Sequence, residues 1–313
     1  MGTNRAKQNR ATVLVACAAL CVLVPGAALG AGGGGGGNGT GGGKGDGKKA
    51  EAAPAKKPVQ PSGAGATSGP LFALTPDLSQ KLASSDEAQI RNALDDVRLA
   101  GKAAAPAVPA IVKLLQRGVS AGLAEAACDT LGDVQSQDAT VAIVPYTRHR
   151  EVKVRRAAAK ALSRTRGAEA IKALRVSLSD SDAVVRGLAA TGLGSLKARD
   201  SVTDLLDALD HKIAESASSI GQLCAPEECE LFMGKLGRLP FDVMTGGFDQ
   251  MIFRPETELN DDNKVKIIGR LRELGTAESN KFLKDVQGRW PAKWSKRVKQ
   301  AIDQAVIATG GGS

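Results

Sequence analysis

The sequence predicts an all-α fold, a stack of helical hairpins that follows an export signal and a glycine-rich linker. Three observations predict it. First, an apolar position recurs at Val97, Leu131, Leu162, Leu193, Ile220 and Leu271, at intervals of 34, 31, 31, 27 and 51 residues. A unit of about 30 residues is the length of a helical hairpin with its turns. Second, apolar and small residues fall three, four and eight positions from these anchors, which is one face of a helix. Third, the chain is 42% apolar but only 3% aromatic. Its core must be made of Ala, Leu, Val and Ile, which suits closely packed helices. So few rings argue against a sugar-binding or base-stacking surface, which needs exposed aromatics.

The first thirty residues have the parts of a secretory signal. Arg5, Lys7 and Arg10 form a basic start, Ala11 to Val24 is uncharged and mostly apolar, and Pro25-Gly26 breaks the run. Ala28-Leu29-Gly30 then offers small residues for a peptidase, so cleavage is expected near Gly30 and the mature chain in the periplasm or secreted. Two alternatives stay open. Residues 11–31 are just long enough to remain as a membrane anchor, and Leu14-Val15-Ala16-Cys17 resembles a lipobox. For the lipobox, few apolar residues precede Cys17 and many follow it, which is the reverse of a short lipoprotein signal.

Residues 31–70 read as a disordered tether. Of the 37 glycines of the 313-residue chain, 13 crowd into positions 30–47, and positions 48–70 are mainly Ala, Lys, Pro, Gly and Ser. Such a segment buries too little apolar surface to offset its ordering entropy. As a Gly-rich coil its ends lie on the order of 35 Å apart. Net charge is +9, and residues 1–30 hold three positive and no negative charges, so the remainder carries +6. That is a mild basic excess, compatible with attraction to acidic surfaces.

From 71 to 309 the helical register dominates. Eight residues before the anchors stand Leu123, Val154 and Val185. A small-residue column lies three and four before them (Cys128, Ala127; Ala159, Ala158; Ala190, Ala189; Ala217, Ser216), and Ile143, Leu174, Leu205, Phe232 and Leu283 lie twelve after. Asp182 and Glu151 are placed to cap first helices. Pro106 and Pro109 fall near the start of a second helix, where a missing amide hydrogen costs little. Gly101, Gly132, Gly194, Gly221 and Gly275 are expected as stop signals. The long last interval points to an insertion at 241–263, and residues 310–313 to a flexible tail.

The stretches Glu151-Val-Lys-Val-Arg-Arg-Ala-Ala-Ala-Lys-Ala-Leu162 and Asp182-Ala-Val-Val-Arg-Gly-Leu-Ala-Ala-Thr-Gly-Leu-Gly194 resemble the HEAT-repeat family, in its short, PBS-lyase-like form. Ala104-Ala-Pro-Ala-Val-Pro-Ala-Ile-Val-Lys-Leu-Leu115 resembles a second helix of the same repeat. The resemblance implies a right-handed superhelical solenoid. It covers 85–240 well and 264–309 less well, and is far more specific for fold than for function. Some members of the wider group attach bilin pigments to proteins and others are scaffolds. Metal-dependent hydroxylases of this fold carry repeated His-Glu pairs; here His149 is followed by Arg150 and His211 by Lys212, so that role does not transfer.

No residues assemble a catalytic, cofactor or metal constellation, and none of these is expected. Cys224 and Cys229, separated by Ala-Pro-Glu-Glu at a turn, are a candidate disulfide for an oxidising compartment, worth about 2 kcal/mol. Cys128 falls in the small-residue column and reads as a buried thiol. The candidate partner-binding residues are the basic cluster Arg148, Arg150, Lys153, Arg155 and Arg156; Phe248, Met251 and Phe253 of the insertion; and Trp290 and Trp294. The cluster also reads as a solvated repeat edge, and the tryptophans as rings closing the end of the stack. The expected function is a non-catalytic protein-interaction or scaffold module outside the cytoplasm, using its concave face or the insertion. The alternatives are a lyase-like accessory acting on another protein, and a basic nucleic-acid binder. A protein partner is expected, nucleic acid is not, and membrane contact is expected only through an uncleaved N-terminal segment.

Overall fold

The computed structural model describes residues 72–310. The expected export signal, the 31–70 linker, Leu71 and residues 311–313 lie outside them. Among the described residues there are fifteen α-helices and no β-strand: α1 (Pro76–Ala83), α2 (Glu87–Ala100), α3 (Val108–Gln116), α4 (Ala121–Val134), α5 (Gln137–Ile143), α6 (Val152–Leu162), α7 (Ala168–Ser177), α8 (Ala183–Ser195), α9 (Val202–Asp210), α10 (Ala214–Leu223), α11 (Pro226–Met233), α12 (Phe241–Phe253), α13 (Asp261–Leu274), α14 (Ala277–Arg289) and α15 (Lys296–Gly310). None is long and apolar enough to cross a membrane.

One row of helices organises the rest. Helices α2, α4, α6, α8, α10 and α12 pack each on the next, with α3, α5, α7, α9 and α11 beside them. The five anchors from Val97 to Ile220 lie on this row, and all six anchors are fully buried. The small-residue column makes the row possible, because helices approach closely only where side chains are short. Three glycines expected as stop signals prove to serve the same purpose. Gly132, Gly194 and Gly221 lie inside α4, α8 and α10, one or two positions before their ends. A Cβ on Gly132 would lie 2.8 Å from the Cα of Ala161, and one on Gly194 would lie 2.5 Å from the Ser219 Oγ. One on Gly221 would collide with the Gly247 carbonyl of α12. Gly101 and Gly275 do end α2 and α13, with φ of +55° and +63° that side chains disfavour.

Local chemistry places the turns. Thr75, Asp86, Ser120, Ser136 and Asp182 each accept a backbone N–H at a helix start. Glu151 occupies the equivalent place before α6, but its longer side chain makes no cap bond and lies 3.9 Å from Arg150 instead. Seven residues before the anchors, Arg155, Arg186 and Lys264 share one further device. Arg155 donates to the carbonyls of His149 and Arg150, Arg186 to those of Asp180 and Ser181, and Lys264 to that of Arg254. Each cation ties the preceding turn to its own helix, satisfying carbonyls the turn leaves open.

The expected insertion at 241–263 is mainly a helix. Thr245-Gly246-Gly247 in mid-run lowers helix propensity, which disguised it, yet Met244, Phe248, Met251 and Ile252 fall on one apolar face and are fully buried. Helix α12 extends the row on α10. The row changes hands after it: α13 packs on α15 and α14. The 51-residue interval therefore holds one whole extra helix, which shifts the alternation by one. The 310–313 tail also needs revision at its start, since Gly310 still belongs to α15.

Two glycine substitutions separate close packing from propensity. Gly221→Ala should lower stability by about 1–3 kcal/mol through overpacking. Gly269→Ala on α13, where a Cβ meets nothing within 4 Å, should raise it by about 0.5–1 kcal/mol. Thermal melts of both variants check the pair; equal effects would mean the α10–α12 contact tolerates a side chain.

Candidate binding surfaces

The basic cluster divides in two. Arg155 makes a paired contact to Asp180, with Nε 2.8 Å and Nη2 2.9 Å from its carboxylate oxygens. Arg156 does the same with Asp182 at 2.8 and 2.6 Å. Both aspartates sit in the turn before α8, so these arginines join one repeat to the next and are spent as partner contacts. Charge-assisted bonds in this forked geometry are the strong kind. Similar pairs recur along the array: Arg98 and Arg164 with Asp133, Arg175 with Asp204, Lys235 with Asp210. The other three residues of the cluster remain outward. Arg148 and Lys153 are exposed and, among the described residues, form no ion pair; Arg150 has a 90% exposed side chain and only Glu151 nearby.

The ion pairs leave a mark on the aspartates. The Arg156 guanidinium, helped by the Val185 N–H and opposed by burial, pulls the Asp182 carboxyl from 3.8 down to about 2. Burial pushes Asp180 up, but Arg155 and the Asp182 N–H outweigh it, so its value is also lowered. Cys128 behaves oppositely: burial, with Asp129 and Glu125 adding to it, pushes its thiol up to about 12. A thiol held protonated this far is a poor nucleophile and ligand.

The second surface forms where α12 ends. The structure joins Cys224 to Cys229 across the α10–α11 turn, with sulfurs 2.11 Å apart. The Cys224 carbonyl accepts a bond from Arg254 Nη1 at 2.8 Å, and the Glu258 carbonyl accepts one from Nη2 at 3.3 Å. Arg254 is 5% exposed and Lys264 3%. Burial lowers the pKa of both cations, against the pull of Glu258 on Arg254 and of Asp261 and Glu256 on Lys264. Lys264 Nζ also lies 5.6 Å from the centre of the Trp294 ring, within cation–π range.

Three rings complete this corner. Trp290 and Trp294 meet edge to face at 5.2 Å, and Phe253 lies 5.9 and 6.1 Å from them. Arg289, held by Asp285 and Asp249, covers Phe253 at 4.6 Å. Trp290 is buried, whereas Trp294 is 39% exposed. The tryptophans do not close the end of the stack as expected. They lie in the link before α15, and α15, packed on α13 and α14, is the last described helix. A cavity of about 350 Å³ opens beside them, walled by Arg254, Pro255, Lys264, Trp290, Lys293 and Trp294, with Glu256, Asp261 and Ser295 also on its lining.

Of the insertion residues, Phe248 and Met251 are fully buried and belong to the core, where Phe248 meets Phe232 edge to face at 5.1 Å. They offer a partner nothing. Phe253 alone reaches the corner. The sequence reading missed Arg254 and Lys264. Lys264 carried a signal, standing on the same helical stripe as Ile267, Ile268 and Leu271, where an apolar residue was due. Among the described residues no three His, Cys, Asp or Glu side chains gather as a metal site.

A family model for HEAT repeats matches residues 108–187 and again 142–219, so this part of the array consists of HEAT repeats. No curated protein sequence matches the chain. Similar solved structures include the complex of CpcE and CpcF of phycocyanin lyase from Nostoc sp. PCC7120, 20% identical with a TM-score of 0.40, covering 78% of this chain and 97% of that one. Human deoxyhypusine hydroxylase in complex with glycerol is 16% identical with a TM-score of 0.34, covering 75% and 95%. A designed armadillo repeat protein is 16% identical with a TM-score of 0.38, covering 75% and 99%.

The lowered aspartates make part of the stability depend on pH. A carboxyl whose folded pKa is depressed contributes fully above its unfolded value, and the contribution fades as pH falls through the folded one. Wild type should therefore be more stable than Arg156→Gln at about pH 5, and the gap should shrink towards about pH 2. Paired melts across that range check it; a gap that stays constant would mean the Arg156–Asp182 bond is not coupled to folding.

Proposed function

We propose that this HEAT-repeat chain is a non-catalytic protein-interaction module working outside the cytoplasm. The observation that carries the reading is the division of its charge. Aspartates along the array, Asp180 and Asp182 in the turn before α8 and Asp133, Asp204 and Asp210 in α4 and α9, are engaged by arginines and lysines of neighbouring elements. Arg148, Arg150 and Lys153 are left projecting from the turn before α6. A short cationic projection on a rigid stack suits an acidic patch on a folded protein. A phosphate backbone calls for a sustained basic track, and here the corresponding turn one repeat on, before α8, carries Asp180 and Asp182 instead.

The extracellular part of the proposal draws on the signal-like first thirty residues and on the Cys224–Cys229 bond, which suits an oxidising compartment. It also fits the absence of demand on Cys128, whose thiol is buried and protonated. The two surfaces proposed for partners are the α6 turn and the α12–α13 corner.

Affinity capture from envelope fractions tests the reading. The wild-type chain should retain one stoichiometric protein partner. The triple substitution Arg148→Gln, Arg150→Gln, Lys153→Gln should cut its recovery several-fold at low salt and leave thermal stability unchanged. Salt-sensitive retention of DNA with no protein partner would contradict it.

A further inference from the structure

The α12–α13 corner combines features that ordinary core packing does not require. Two cations are buried there, Arg254 and Lys264. The indole Nε1 of Trp290 and the Nε of Arg254 are buried without a hydrogen-bond acceptor, although the latter lies 3.6 Å from Glu258 Oε2. Buried donors left unpaired are costly, and those in native structures usually have a reason. All these residues wall one cavity of about 350 Å³. That volume is at the small end of ligand sites, so it suits a single anchoring residue better than a large cofactor.

The wall selects the ligand's charge. Cationic groups are disfavoured, because Lys264 and Arg289 already cover the Trp294 and Phe253 rings. The lining holds Arg254, Lys264 and Lys293 together with Glu256 and Asp261, one net positive charge, while Glu258, 3.6 Å from Arg254 Nε, stands outside it. One carboxylate balances that charge, whereas a phosphate dianion exceeds it and meets the two acids. Trp290, Trp294 and Pro255 supply an apolar wall beside the cations. The matching group therefore carries one carboxylate and, on the same residue, a separate apolar side chain. An internal Asp or Glu has the first without the second; the last residue of a polypeptide has both.

We propose that this corner binds the C-terminal residue of a partner polypeptide, with its α-carboxylate beside Lys264 and Lys293 and an apolar side chain against the indoles. The proposal rests on the protein-interaction reading above. It makes the corner the second contact, separate from the cationic turn before α6.

The site carries its own probe, because Trp290 and Trp294 are the only tryptophans in the chain. The full chain is titrated with acetyl-Gly-Ala-Leu as the free acid, with the same peptide as its amide, and with inorganic phosphate. The free acid should shift tryptophan emission saturably, and the amide should bind at least about tenfold more weakly. Phosphate should not displace the peptide. Lys264→Met should abolish the shift, and exposed Lys293→Gln, which leaves the core untouched, should weaken binding several-fold if the first variant does not fold. Equal binding of acid and amide, displacement by phosphate at equal concentration, no emission change, or wild-type binding by Lys293→Gln each overturn the proposal. If the peptides fail while envelope capture still recovers a protein partner, only the C-terminus inference falls. If capture fails as well, so does the interaction reading.

Discussion

The structure depends on how closely the helices of one row can approach. Six helices, α2 to α12 by alternate steps, share backbone-near contacts made by alanine, serine and glycine. Each contact offers little apolar area, so the row relies on many dispersion contacts at short range. Glycine in these helices lowers propensity, and that cost is accepted because no larger residue fits at Gly194 or Gly221. The low aromatic content follows from the same requirement. Most of the rings, Phe232, Phe241, Phe248, Phe253, Phe282, Trp290 and Trp294, cluster around α12, beyond which the row passes to α13 and α15.

The fold was largely legible because its repeat is a physical period. Each anchor is a buried contact, so an apolar residue must return every time the first helix of a hairpin nears its end. The glycines were misread because a glycine near a helix end signals a stop in isolation, while closeness to another helix is invisible without the partner. Gly101 and Gly275 adopt positive φ; Gly132, Gly194 and Gly221 sit within helices. Helix α12 was hidden by two central glycines that exist for the α10 contact. Its apolar spacing of four, seven and eight from Met244 is nevertheless that of a helix face.

The candidate surfaces were less legible, for a related reason. Five basic residues around one turn look alike in sequence, yet Arg155 and Arg156 are committed to aspartates 25 and 26 residues away. Only the exposed three are available to a partner. At the other corner the tryptophans and Phe253 could be singled out as rare residues. Of the cations that give the corner its chemistry, Arg254 is an ordinary member of a basic chain until burial is known, and Lys264 is marked only by standing on an apolar stripe. The register shift is what brings them together. The extra helix ends at Phe253, Arg254 turns back to the Cys224–Cys229 loop, and α13 delivers Lys264 beneath Trp294.

The central claim is that α12 is an integral member of the row and that the alternation shifts because of it. Amide hydrogen exchange followed by mass spectrometry tests this most directly, since protection reports local opening energy. Residues 241–253 should be protected to the same degree as α8 and α10, with the Gly246–Gly247 amides among the slow ones. Exchange of that segment at the rate of the surrounding turns, while α8 and α10 stay protected, would mean that it is a surface insertion and would contradict the account.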